Sequence, residues 1–116
     1  MAGPRHAELT RIADGVGPGA TAARTALGRG APTQRLRAAI QALAAHRGPG
    51  SSTCPSDAAR AVGGEQWREL MDDARACARE LARAGDVDIT QGGETIDPDS
   101  DWKGPIRIRH RPGDTS

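Results

Sequence analysis

An α+β fold, three helices followed by a small antiparallel sheet in the order of a winged helix-turn-helix, is what this 116-residue sequence predicts. Three observations predict it. Between Thr33 and Ala84 the apolar residues recur every three or four positions. From Val87 onward they recur every second position. Glycine-rich breaks at Gly48-Pro49-Gly50, Gly63-Gly64, Gly85 and Gly92-Gly93 fall between the periodic runs.

The first helix follows Pro32. Thr33 is its expected N-cap, Leu36, Ala39, Ile40 and Leu43 share one stripe, and Gly48-Pro49-Gly50 stops it near Arg47. Ser51 to Thr53 lead into Cys54-Pro55-Ser56-Asp57, where a proline just inside a helix start and an acid in the first turn open a short second helix that ends at Gly63-Gly64. The third helix, Glu65 to Ala84, places Trp67, Leu70, Met71, Ala74, Cys77, Ala78 and Leu81 on one face, with Gly85 as its C-cap. Val87 and Ile89 then alternate with Asp86, Asp88 and Thr90, Gly92-Gly93 turns the chain, and Thr95-Ile96-Asp97 begins a return strand. Ile106 and Ile108 alternate with Arg107 and Arg109 in a third strand. The predicted domain therefore spans residues 33–110. Residues 1–32 are expected to be a flexible tail, because Gly15, Gly17-Pro18-Gly19 and Gly28-Arg29-Gly30 interrupt a scatter of Leu9, Ile12, Val16 and Leu27. Residues 111–116 are expected to fray.

Composition narrows the function classes. Leu, Ile and Val total 15, with two Trp and no Phe or Tyr, so Ala must carry much of the core. The large net charge that accompanies disorder is missing, since 16 basic residues stand against 15 acidic ones. No apolar run is long enough to span a membrane, no apolar stretch marks an export signal, and two cysteines do not make a disulfide scaffold. A cytoplasmic, reduced monomer is the expectation, for no dedicated dimerisation helix is visible.

The run Cys54-Pro55-Ser56, Ala59-Arg60-Ala61-Val62-Gly63, Trp67-Arg68, Arg75, Leu81-Ala82-Arg83-Ala84-Gly85 and Gly104-Pro105-Ile106-Arg107-Ile108-Arg109 resembles a small bacterial family, a domain of unknown function with a winged-helix fold. The resemblance covers roughly residues 33–110. It implies the fold and no catalytic residue.

Two arginine sets are candidates for contact with nucleic acid or a protein. Arg68, Arg75, Arg79 and Arg83 fall within about 80° of one another on an ideal third helix, away from its apolar face. Lys103, Arg107, Arg109 and Arg111 put four cations and no acid into residues 103–111. Guanidinium groups in a major groove pair with phosphates or guanine edges. Against that, Glu65–Arg68, Arg68–Asp72, Asp72–Arg75 and Glu80–Arg83 lie at pairing distance along the helix, and Asp86 and Asp88 are placed to face Arg107 and Arg109 across the sheet. Glu69, Asp73 and Glu80 add an acidic stripe. Residues 33–110 hold 11 basic and 12 acidic residues, a net charge of −1 that gives little non-specific attraction to DNA. The leading expectation is a small regulatory or adaptor module that binds a macromolecular partner through protein contacts. Direct DNA or RNA binding is the alternative.

Trp67 is expected to anchor the third helix to the first, while Trp102, in a charged loop, either folds back onto the sheet, the favoured reading, or contacts a partner. Cys54, at a helix start, is the candidate reactive thiol, although packing under the turn is its simpler role. Cys77 faces the core. His46, Cys54, Cys77 and His110 lack zinc-ligand spacing, and Asp97-Pro98-Asp99-Ser100-Asp101 fails as a calcium loop because Trp102 stands where glycine is required. No metal, cofactor or small-molecule substrate is expected. Neither a phosphate loop nor an assembled nucleophile is present, so the expectation is a protein that is not an enzyme.

Overall fold

The computed structural model describes residues 3–17, 19–48 and 50–111. It is α+β: helices α1 (Pro4–Asp14), α2 (Ala20–Ala26), α3 (Pro32–Arg47) and α4 (Pro55–Gly63), a 3-10 helix (Gly64–Leu70), helix α5 (Met71–Arg83), and strands β1 (Val87–Gln91), β2 (Glu94–Thr95) and β3 (Arg107–His110).

The expected flexible tail is helical over most of its described length. Prolines set the starts of α1 and α3, and the glycines that read as breakers act as turns between short helices. Arginines close those helices at their C-termini: Arg24 donates to the Ala13 and Gly15 carbonyls, each at 3.0 Å, and Arg35 to the Ala26 carbonyl at 2.8 Å. Leu9 and Ile12 of α1 and Ala20, Ala23 and Ala26 of α2 are buried. Small side chains let α2 lie close on α3. A Cβ at Gly19, whose φ is +86°, would sit 2.8 Å from the Ala42 carbonyl oxygen. Residues 112–116, expected to fray, lie outside the described residues.

Helix α3 is buried on more than the single stripe its period suggested. Leu36, Ala39, Ile40 and Leu43 are joined in the core by Ala38, Ala42 and Ala44, because the α1–α2 pair covers a second side of the helix. Its N-cap is Ala31, with no side-chain cap; Pro32 rather than Thr33 starts it.

The expected third helix is split. Gly64, at φ +58°, ends α4, and the chain tightens into the 3-10 helix, with Gln66 at φ −100°, ψ 21°, before α5 begins at Met71. In 3-10 geometry residues i and i+3 eclipse, which aligns Trp67 with Leu70. Leu70 then settles over Gly63, its Cδ1 only 2.7 Å from where a Cβ would stand. Beyond the break Ala74, Cys77, Ala78 and Leu81 form the buried face of α5 as expected.

The three strands pair antiparallel in the order β2-β1-β3. Gly92 and Gly93, both at positive φ, make the two-residue turn between β1 and β2. Ile89 pairs with Ile108 and Val87 with His110, which sends Val87, Ile89 and Ile108 inward against the helices. A single bridge ties the loop before α4 to this sheet: Thr53 N–H donates to the Ile108 carbonyl at 2.8 Å, and Ile108 N–H returns a bond to Thr53 at 2.7 Å.

Candidate functional site

The α5 arginines do not stand free as a stripe. The loop between β2 and β3 folds over them, and its shape comes from local chemistry. Asp97 binds the Asp99 amide through its carboxylate, and its carbonyl accepts from the Ser100 hydroxyl, the Ser100 amide and, at 3.1 Å, the Trp102 indole N–H. That ring is 7% exposed and lies against the guanidinium groups of Arg79, 4.2 Å from its centroid, and Arg75, at 5.7 Å. Arg79 also donates to the carbonyls of Pro98 and Ser100, Arg75 to that of Trp102, and Arg83 pairs with Asp99. Trp102 therefore folds back, onto α5. Of the charge pairs expected along the helix, Arg83 finds its carboxylate in the loop, Arg75 and Arg79 find loop carbonyls, and Glu80 pairs with Arg37 of α3.

Arg68 is parted from the other three. It belongs to the 3-10 helix, where the angular step differs from that of an α-helix, and it stacks on Trp67 at 4.6 Å. Arg60 from α4 stacks on the same ring at 4.3 Å. Trp67 is thus half-buried, packed against the hydrophobic core on one side and a platform for two cations on the other. Both arginines are exposed, and neither forms an ion pair among the described residues. Arg60 was not among the expected contact residues. Its signal was available, since it lies one helical turn past Asp57 and away from the buried alanines of α4.

On the sheet, Arg107 reaches back to the Ser52 hydroxyl (2.8 Å) and carbonyl (3.1 Å). Arg109 is exposed opposite Asp88, as expected from the strand pattern, while the carboxylate of Asp88 faces Arg111 at 3.9 Å. Lys103 is exposed, and its backbone carbonyl holds Gln91. Arg107 and Arg109 of the basic strand thus have contacts different from those of Arg75, Arg79 and Arg83.

Cys54 is the N-cap of α4, half-buried, with its sulfur 3.1 Å from the Ser56 hydroxyl. Cys77 is buried against the Thr33 carbonyl, and burial pushes its thiol pKa up. Both thiols are free.

A buried charge cluster that the sequence pattern did not reveal joins α1, α3 and α4. Asp57 accepts from Arg5 (2.7 Å), Arg47 (3.0 Å) and the Thr53 hydroxyl (2.9 Å). Arg47 also grips both carboxylate oxygens of Glu8, at 2.8 and 3.2 Å, and the Ser52 carbonyl at 3.0 Å. Burial alone would raise the Asp57 carboxyl, but the bonds from Arg5, Thr53 and Arg47 outweigh it and hold the group at about 2, below its ordinary 3.8. The Glu8 bond, opposed by burial and aided by Asp57, raises Arg47. Every partner is satisfied, and the cluster is a fastener rather than a reactive centre.

The family described as Protein of unknown function (DUF3253) matches residues 33–111. The chain belongs to this family. Among curated proteins no relative matches it. The DUF3253 match begins at α3 and takes in the split third helix, the Trp102 loop and the whole sheet, so the α1–α2 pair lies outside it. No helix among the described residues is long and apolar enough to cross a membrane.

Proposed function

We propose that the chain is a winged helix-turn-helix module that holds a protein partner through its surface side chains, as a regulatory or adaptor domain with no catalytic step of its own. The order α3, α4, 3-10 turn and α5, followed by a β-hairpin and a third strand, supports the winged arrangement. The fate of the α5 arginines carries the functional reading. Arg75, Arg79 and Arg83, the cations best placed to enter a major groove, are engaged by the carbonyls, carboxylate and indole of the 97–102 loop. Side chains left exposed beside them include Glu69, Asp72 and Asp73. A phosphate backbone laid along that helix would meet carboxylates, and a domain of net charge −1 supplies no compensating field. The exposed cations include Lys103 and the β3 pair Arg107 and Arg109, apart from Arg60 and Arg68 on Trp67, and such separate groups suit point contacts with a protein surface. Direct DNA or RNA binding is the second reading, favoured by the exposed Arg107 and Arg109 on β3.

The two readings separate in one paired experiment. The tagged full chain is recovered from its source cells after mild cross-linking, and in parallel is titrated into labelled duplex DNA at about 50 mM salt. A protein recovered in near-equal amount, with no anisotropy change at micromolar duplex, is the expected result. Duplex binding whose log affinity falls by several units per log unit of salt, with no protein recovered, overturns it in favour of the second reading.

A further inference from the structure

On that protein-partner reading, we propose that Arg60, Trp67 and Arg68 form the docking point for an acidic peptide segment of the partner. The stacking of both arginines on one ring points to it. The guanidinium groups of Arg60 and Arg68 lie 4.3 and 4.6 Å from the centroid of one half-buried ring. A guanidinium that spends its face on an aromatic ring keeps its N–H edge for a carboxylate, which it binds in a two-pronged, planar geometry. Both side chains are already held by the ring, so less rotamer freedom remains to be lost when a ligand arrives.

The acids nearest in sequence do not occupy these edges. Asp57, three residues before Arg60, is committed to Arg5 and Arg47. Glu65 and Asp72, three before and four after Arg68, are exposed and form no ion pair among the described residues. The two stacked arginines are thus exposed cations that no carboxylate among the described residues neutralises, whereas Arg83 pairs with Asp99 and Arg75 and Arg79 are held by the carbonyls of the 97–102 loop.

The surface is concave at Arg60, with Arg68 on the far side of the shared ring. Two hollows of about 350 and 300 Å³ adjoin at Arg60, the first bordered by His6 and the second by Trp67 and the start of α1. Arg60, Gly64 and Glu65 line both, and Glu65 is the single acid among the lining residues. Gly64 adds no side chain, and a Cβ there would meet nothing within 4 Å, so peptide backbone has room to approach. Each hollow has the size of one or two side chains rather than of an extended duplex. Continuing along the chain, exposed Glu69, Asp72 and Asp73 bound the site with negative charge. These acids confine the favourable contact to the two arginine edges, which one or two carboxylates of a short flexible segment can reach and a continuous phosphate backbone cannot without meeting the acids.

The test uses the full chain and a fluorescein-labelled peptide of six consecutive glutamates, with a six-lysine peptide and a duplex DNA as comparisons, at low salt. The glutamate peptide binds more tightly than either comparison. Replacing both arginines, Arg60→Gln with Arg68→Gln, weakens it about tenfold, while Arg83→Gln weakens it less than about twofold. Since Arg60 and Arg68 are exposed, the double variant keeps the thermal melting point of the parent chain. Trp67→Leu, which removes the platform and keeps the charges, weakens the peptide about threefold. Duplex binding tighter than peptide binding overturns the proposal. So does equal weakening by Arg83→Gln and either arginine change, which reports diffuse charge. Recovery of the cellular partner by the double variant at the parent level overturns this docking point alone and leaves the adaptor reading standing.

Discussion

Asp57 is the residue on which the N-terminal part of the fold turns. Its side chain is 9% exposed, and both oxygens are bound by groups from three separate segments: Arg5 of α1, Arg47 of α3 and Thr53 of the loop before α4. A carboxyl held at about 2 against an ordinary 3.8 contributes about 2 kcal/mol of stability while ionised in both states. Because the folded value is the lower one, that contribution is complete above pH 4 and is lost as the pH falls through 2. Urea melts at a series of pH values are expected to be level from neutrality to about pH 5 and to drop steeply below 4. Asp57→Asn is expected to cost about 2–3 kcal/mol at pH 7, and its disadvantage shrinks toward pH 2. An equal cost at both pH values would show that the charge is not what Asp57 supplies. The sequence marked Asp57 only as a helix-start acid. Nothing in local spacing brings Arg5 to Asp57 or Glu8 to Arg47, since these pairs stand 52 and 39 positions apart and meet through tertiary packing.

At the scale of elements, the loop from Asp97 to Trp102 behaves as an extra layer on α5. Its three acids, Asp97, Asp99 and Asp101, read in the sequence as a solvated turn beside a basic strand. In the folded chain its carbonyls and Asp99 face the arginines of a helix that precedes it by about 20 positions. Trp102→Ala removes the ring under which Arg75 and Arg79 are ordered and is expected to cost about 2–3 kcal/mol, less than a fully enclosed aromatic. Amide exchange should quicken across residues 97–102 while the helical circular dichroism of α5 persists. Unchanged exchange in the loop would mean that Asp97 alone holds it. Helix α4, the buried face of α5 and the β1–β2 turn were legible, because strong periodicity and paired glycines write them locally. The 3-10 break before α5 was not, for a Trp-to-Leu spacing of three fits both helix types. Misplacing that break also misplaced Arg68, and Arg60 was missed because Trp67 was read for its core packing alone and not for the face it leaves to cations.

For the whole molecule, the α1–α2 pair, outside the family match, completes the hydrophobic core that the family domain begins. Leu9 is fully buried and Ile12 nearly so, against helices that the matched region supplies. Leu9→Ala is therefore expected to cost about 2–4 kcal/mol, and a chain starting just before Pro32 to melt well over 10 °C lower. A melt within a few degrees of the parent would show that the matched region is self-sufficient. This packing escaped the sequence because its contacts are made by alanines. Leu, Ile and Val are nearly as frequent in residues 1–32, at four, as their share of the chain allows, yet Ala20, Ala23 and Ala26 leave no apolar stripe distinct from a linker composition. The Thr53–Ile108 bridge has a consequence for how two such molecules meet. It closes the outer margin of β3, while the opposite margin is β2, two residues long and headed by Glu94. Among the described residues, one border of the sheet is therefore occupied at Ile108 and the other is only two residues long, which leaves little open ladder for an added strand.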